Sequence, residues 1–114
     1  MKIVNPAKNT VLAENAEITG NPLKRMKGLI GRKFLEKGSG LLIKHCNSIH
    51  MFFMSFPIDV VFASAQNQVV GLKESIRPWR MSAVYFSASF VIELPAGTIR
   101  ETHTAVGDFL TLIP

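Results

Sequence analysis

The chain has 114 residues and a mass of 12.6 kDa, the size of one domain. Hydrophobic residues make up 47% and charged residues 18%, a composition that builds a core and excludes an intrinsically disordered chain. The 13 basic residues outnumber the 8 acidic ones for a net charge of +5, and the single cysteine, Cys46, excludes an internal disulfide and a cysteine-built zinc or iron–sulfur site.

Short apolar runs alternate with Gly, Pro, Asn and Ser, the punctuation of a mainly β chain. No repeat or linker divides residues 1–114, which are expected to form a single domain. Strands are predicted over Lys2–Val4, Thr10–Ala13 and Ala16–Thr19. A helix follows: Asn21 suits the N-cap and Pro22 the first helical position. Leu23, Met26, Leu29 and Ile30 then share one face, and Gly31 ends the helix. Further strands are predicted over Gly40–Ile43, Ser48–Phe53 and Ile58–Ala63. In the second of these, alternation sends His50, Phe52 and Met54 one way and Ile49, Met51 and Phe53 the other. Ala65-Gln66-Asn67-Gln68 reads as a hairpin turn into a strand over Gln68–Leu72. Pro78 makes Ser75–Met81 a loop, in which Trp79 covers a pocket or packs on the sheet. Strands over Phe90–Leu94 and Phe109–Ile113 flank a short helix starting at Thr98, where Thr98 and Glu101 have the spacing of a capping box. Gly107-Asp108 forms the turn before the last strand.

Several of these blocks together resemble a known family. Arg25-Met26-Lys27-Gly28-Leu29-Ile30-Gly31-Arg32 is similar to its helix motif. Gly40–Ile43, Ile49–Met54, Pro57–Phe62 and Ile92–Gly97 resemble its strand motifs in the same order, and Gly107-Asp108 its closing turn. The family is the bacterial and archaeal domain-of-unknown-function family 192 (DUF192), and the resemblance spans Arg25 to Leu112. Met51 departs from the pattern, which has threonine or another small residue there. The resemblance implies a compact, mostly antiparallel β-sandwich or distorted barrel with a short helix or two, in agreement with the short helices read in the N-terminal third and near the C-terminus. It implies no established chemistry.

Two acids interrupt apolar strands, Asp59 between Ile58 and Val60 and Glu93 between Ile92 and Leu94. An unpartnered buried carboxylate costs several kcal/mol or takes up a proton. Each is therefore expected either to be held by an ion pair or backbone hydrogen bonds, or to line a pocket. Arg25 and Arg32 share a face of the first helix with Gly28 between them. At least one is expected to pair with Asp59 or Glu93, because a planar guanidinium donates to carboxylates in pairs. His50 reads as a general base, a ligand or a half-buried core residue. His45, Cys46, His50, Met51 and Met54 offer groups suited to Cu(I). Met51 and His50 would face opposite sides of a strand, however, and the spacing fits no ligand rule, so no metal or cofactor is expected. No nucleophile elbow or phosphate loop is present.

Seven basic residues fall between Lys24 and Lys44, and Lys73, Arg77 and Arg80 surround Trp79. The expected partners are a small polar or anionic ligand or a protein, with single-stranded nucleic acid a weaker alternative because no binding signature accompanies the charge. No signal-length apolar run follows Lys2, and the uncharged Met81–Ile92 stretch is short of the about 20 apolar residues that span a membrane. A cytoplasmic location is favoured, although a secreted or periplasmic chain trimmed of its leader would read the same. The function expected is a non-catalytic binding or accessory module, with a cleft near the first helix and central strands formed by Arg25, Arg32, His50, Asp59, Glu93 and Trp79. The alternative is a hydrolase-like enzyme using His50 with Asp59 or Glu93 as acid and base, which requires these side chains to converge. Metal or single-stranded nucleic-acid binding ranks below both.

Overall fold

Runs rich in Val, Ile and Phe form the strands of two sheets in the computed structural model, which describes residues 1–20, 35–49, 51 and 55–114. Strands β1 (Lys2–Asn5), β2 (Thr10–Ala13) and β8 (Thr111–Ile113) form a three-stranded antiparallel sheet in the order β2-β1-β8. Strands β3 (Asn15–Thr19), β4 (Ser39–Lys44), β5 (Ile58–Ala63), β6 (Val69–Ile76) and β7 (Phe90–Pro95) form the larger sheet, in the order β3-β4-β7-β5-β6. One helix is described, α1 (Thr98–Thr102). The helix expected from Asn21 lies outside the described residues, with Arg25 and Arg32.

The larger sheet is buried on both faces. Its central strands therefore read as unbroken apolar runs rather than as a polar–apolar alternation. Every residue of β5 is buried, and so is β7 from Phe90 to Leu94. On one face Leu42, Val61, Ala63, Phe90, Ile92 and Leu94 pack against Ile3, Leu12 and Ala13 of the smaller sheet and Ile99 of α1. On the other face Leu41, Ile43, Ile58, Val60, Phe62 and Val91 pack against Leu35, Ile49, Met51, Phe56 and Ile76. Each fully buried side chain of this size contributes about 1.5–3 kcal/mol.

Several expectations need correction. The described residues form two sheets with no closed barrel, and β3 pairs parallel with β4, so the fold is not wholly antiparallel. Residues 20–38 separate those strands; a two-residue hairpin cannot join parallel neighbours, whereas a connection of a dozen or more residues can. Of the strand expected over Ser48–Phe53, residues 48, 49 and 51 lie outside any strand. Residues 49 and 51 pair irregularly with the 79–82 segment instead. The Met51 N–H donates to the Arg80 carbonyl at 2.7 Å, and the Trp79 N–H to the Met51 carbonyl at 2.7 Å. The Ile49 N–H goes to the Ser82 hydroxyl at 2.8 Å, which breaks the ladder. The capping box does not form either. Gly97 occupies the N-cap at φ 97°, with no side-chain cap, and the Thr98 hydroxyl donates to the Pro95 carbonyl.

The hairpin turn is as expected. The Ser64 hydroxyl accepts from the N–H groups of Gln66 and Gln68, and Asn67 takes up a positive φ of 64°, which asparagine tolerates.

Candidate functional site

Asp59 sits in the middle of β5 with no solvent exposure. Its neighbours Ile58 and Val60 pair with Ile76 and Lys73 of β6, so two β6 residues, Glu74 and Ser75, oppose Asp59 alone. This is a β-bulge, which leaves a backbone N–H without a ladder partner. The Ser75 N–H donates to Asp59 Oδ1 at 2.8 Å. Asp59 Oδ2 accepts from Gly97 N–H at 3.1 Å and from Ile99 N–H at 2.9 Å, at the start of α1. The first N–H groups of a helix have no partner within it, and a carboxylate from a distant strand supplies one here. Among the described residues the acid is thus held by backbone amides; the ion pair expected from Arg25 or Arg32 to Asp59 or Glu93 involves residues outside the described ones. Both Asp59 oxygens are engaged by backbone N–H groups, and the side chain is buried.

Glu93 is also fully buried, on β7. The register pairs Asp59 with Leu94 and Val60 with Glu93. Cross-strand partners share a face and successive residues alternate, so Asp59 and Glu93 project from opposite faces of the sheet. They do not converge on a common site as paired carboxylates. His50 lies outside the described residues, as Arg25 and Arg32 do, and no acid–base pair with it is described.

Of the soft-metal grouping, His50 and Met54 lie outside the described residues, and Cys46 packs against the same core cluster as Met51. Met51 is wholly buried in the core. The Cys46 thiol donates to the Ser48 carbonyl at 3.0 Å, and His45 is exposed at φ 53°. Asp108 is a further structural acid. It accepts from Asn5 Nδ2 and the Ala105 N–H, both at 2.9 Å, and Lys8 Nζ lies 3.0 Å from each of its oxygens. The Asn5 hydrogen bond first, then the Ala105 and Lys8 interactions, lower its pKa against the opposing effect of burial.

Trp79 differs from the buried acids. It is 59% exposed, in the left-handed region at φ 67°, a conformation that persists in a bulky residue only when its surroundings fix it. Here its N–H is fixed on the Met51 carbonyl. The segment beyond it is pinned at Ser82, whose N–H donates to Ile49, and at Tyr85, whose N–H donates to Asn47. The Tyr85 ring stacks on Phe62 with centroids 4.1 Å apart and lies over Gly71, where a Cβ would overlap it. Anchored in this way, the segment presents Met81 at 68%, Val84 at 47% and Phe86 at 91% exposure. Lys73, Arg77 and Arg80, near it in the sequence, are exposed, as is one acid, Glu74. Met81, Val84 and Phe86 were not among the residues singled out from the sequence. Their signal was an uncharged run, Met81–Ile92, whose serines fit neither a strand nor a helix period.

Comparison with known proteins places these observations in a family. A family model described as Uncharacterized ACR, DUF192, matches residues 3–112. A UPF0127 protein of Thermococcus sibiricus is 32% identical over 110 residues, covering 93% of this chain and 71% of its own. A UPF0127 protein of Pyrococcus abyssi is 32% identical over 112 residues, covering 93% and 92%. The solved structure of a Novosphingobium aromaticivorans protein of unknown function superposes with a TM-score of 0.82 at 17% identity, covering 98% of this chain and 84% of that one. A Sinorhizobium meliloti structure, provisionally described as a transcription regulator, superposes with a TM-score of 0.76 at 20% identity, covering 96% and 89%. Its likeness, like that of the Novosphingobium protein, concerns the fold. With its β sheets, its closing turn and its matched blocks in order, the chain belongs to the uncharacterized DUF192 (UPF0127) family.

Proposed function

We propose that the chain is a non-catalytic binding module that docks an anionic partner through the 77–86 segment. The observation that carries this reading is the exposure of Trp79, Met81, Val84 and Phe86 on one pinned segment, with Lys73, Arg77 and Arg80 also exposed and near in sequence. Exposed apolar patches of this kind mark interaction surfaces more often than chance, and neighbouring cations select partners of negative charge. Of the six residues expected to form a cleft, Trp79 is the described one that reaches solvent, while Asp59 and Glu93 are buried on opposite faces. The reading therefore moves the site from the centre of the sheet to its rim. The transcription-regulator description of the Sinorhizobium structure adds nucleic acid to the partners worth testing.

Trp79 is the single tryptophan of the chain, so its fluorescence reports occupancy of the segment directly. Three probes are titrated: phosphatidylglycerol vesicles, a glutamate- and leucine-rich peptide without tryptophan, and oligothymidylate. At least one is expected to shift the emission of the wild-type protein but not of the Arg77→Glu, Arg80→Glu double variant. If none of the three shifts it, the reading fails.

A further inference from the structure

Resting on that reading, the geometry points to one partner: the surface of an anionic lipid bilayer, entered by Trp79, Met81, Val84 and Phe86, with Lys73, Arg77 and Arg80 at the headgroup phosphates. Three features favour lipid over a macromolecule of defined shape. First, a side chain 91% exposed, as Phe86 is, stands off the surface and lines no groove. A peptide bound through apolar anchors needs pockets on one side or the other, whereas a bilayer interface deforms around what enters it. Second, Met81 and Val84 have no aromatic face and no hydrogen-bonding side chain. They add nothing to the stacking by which single strands are held, but they do gain from burial among acyl chains. Tryptophan suits the boundary itself, where its large amphipathic ring sits at the level of the headgroups.

Third, the charge is placed for an anionic surface. Between Ala63 and Glu93 the chain carries Lys73, Arg77 and Arg80 against Glu74 alone, and between Lys37 and Pro57 it carries no acid at all. The second stretch includes Asn47, Ile49 and Met51, which pin the exposed segment, and the exposed Lys44 and His45. Anionic leaflets attract such cations within a Debye length. Because backbone hydrogen bonds already order the segment, docking requires little further loss of chain entropy.

The experiment uses vesicles of phosphatidylcholine alone, and of phosphatidylcholine and phosphatidylglycerol in equal parts, followed by co-sedimentation and Trp79 emission. The mixed vesicles are expected to sediment the protein, shift Trp79 to shorter wavelengths and protect it from an aqueous quencher; phosphatidylcholine alone is expected to do none of these. The Met81→Ser, Phe86→Ser double variant, altered only at exposed positions, is expected to keep its fold by circular dichroism. It should lose at least about tenfold in vesicle affinity, the effect of one large apolar side chain left out of the bilayer. Equal vesicle binding by this variant overturns insertion. A Trp79 response to the acidic peptide or oligothymidylate, with none to mixed vesicles, overturns the lipid assignment while the anionic-docking reading stands. Silence toward all probes overturns both.

Discussion

Asp59 is the residue whose role depends most on its neighbours. Its carboxylate joins the β6 bulge to the start of α1 through three backbone amides. Hydrogen bonds to a charged group are the stronger kind, and a buried donor that loses its acceptor pays its full desolvation cost. Asp59→Ala is expected to lower stability by a few kcal/mol, measured by urea denaturation, because it leaves three amide donors without an acceptor and each such buried donor costs about 1–3 kcal/mol. Asp59→Asn keeps the shape but turns an amide NH2 toward one of the N–H donors, so it should also destabilise. Retention of wild-type stability by both variants would remove the architectural role.

Asp108 gives a pH-dependent expectation with a definite sign. Its folded-state pKa lies below the ordinary 3.8, chiefly because Asn5 donates to it. In the window between the two values the unfolded chain binds more protons than the folded one, so stability rises with pH there. The contribution is fully present above about pH 3.8 and is lost as pH falls through the folded value. Denaturation of wild type and Asp108→Asn at a series of pH values is expected to show a stability gap near neutrality that narrows below that point. A gap independent of pH would contradict the assignment.

At the scale of elements, the 77–88 segment owes its position to a glycine on another strand. Gly71 on β6 leaves room for the Tyr85 ring, which stacks on Phe62. In Gly71→Ala the added Cβ overlaps that ring, and forcing a methyl group into a packed contact costs about 1–3 kcal/mol. The variant is expected to lose near-ultraviolet dichroism from Tyr85 and to exchange amide protons faster at Ser82 and Tyr85, while β5 and β7 stay protected. Unchanged exchange in the segment would show that Tyr85 does not anchor it. α1 shows the same dependence. Its start at Thr98 was legible from Thr98 and Glu101, but the cap comes from Asp59 on β5 rather than from either residue.

At the scale of the whole molecule, two packed faces organise everything else. The larger sheet separates Asp59 from Glu93, fills one face against the smaller sheet and α1, and fills the other with Ile49, Met51 and Phe56. The docking segment proposed above lies outside these packed faces, where its apolar side chains meet solvent. A net charge of +5 favours encounter with anionic partners from any direction, and on the proposed reading the exposed segment is where they dock.

The sequence by itself determined the strands whose character is local. Ile58–Ala63 and Phe90–Leu94 are runs of β-branched and aromatic residues, and their boundaries agree with β5 and β7 to within a residue. The turn at Ala65–Gln68 was equally local, because asparagine and serine bias the backbone where they stand. The family was legible too, as short blocks in a fixed order. The tertiary structure alone decided the parallel pairing of β3 with β4, the opposite faces of the two buried acids, and the outward display of Met81, Val84 and Phe86. Each of these depends on which distant strand lies alongside and in what register. Those relations are fixed by packing across the sheet, and no window of neighbouring residues contains them.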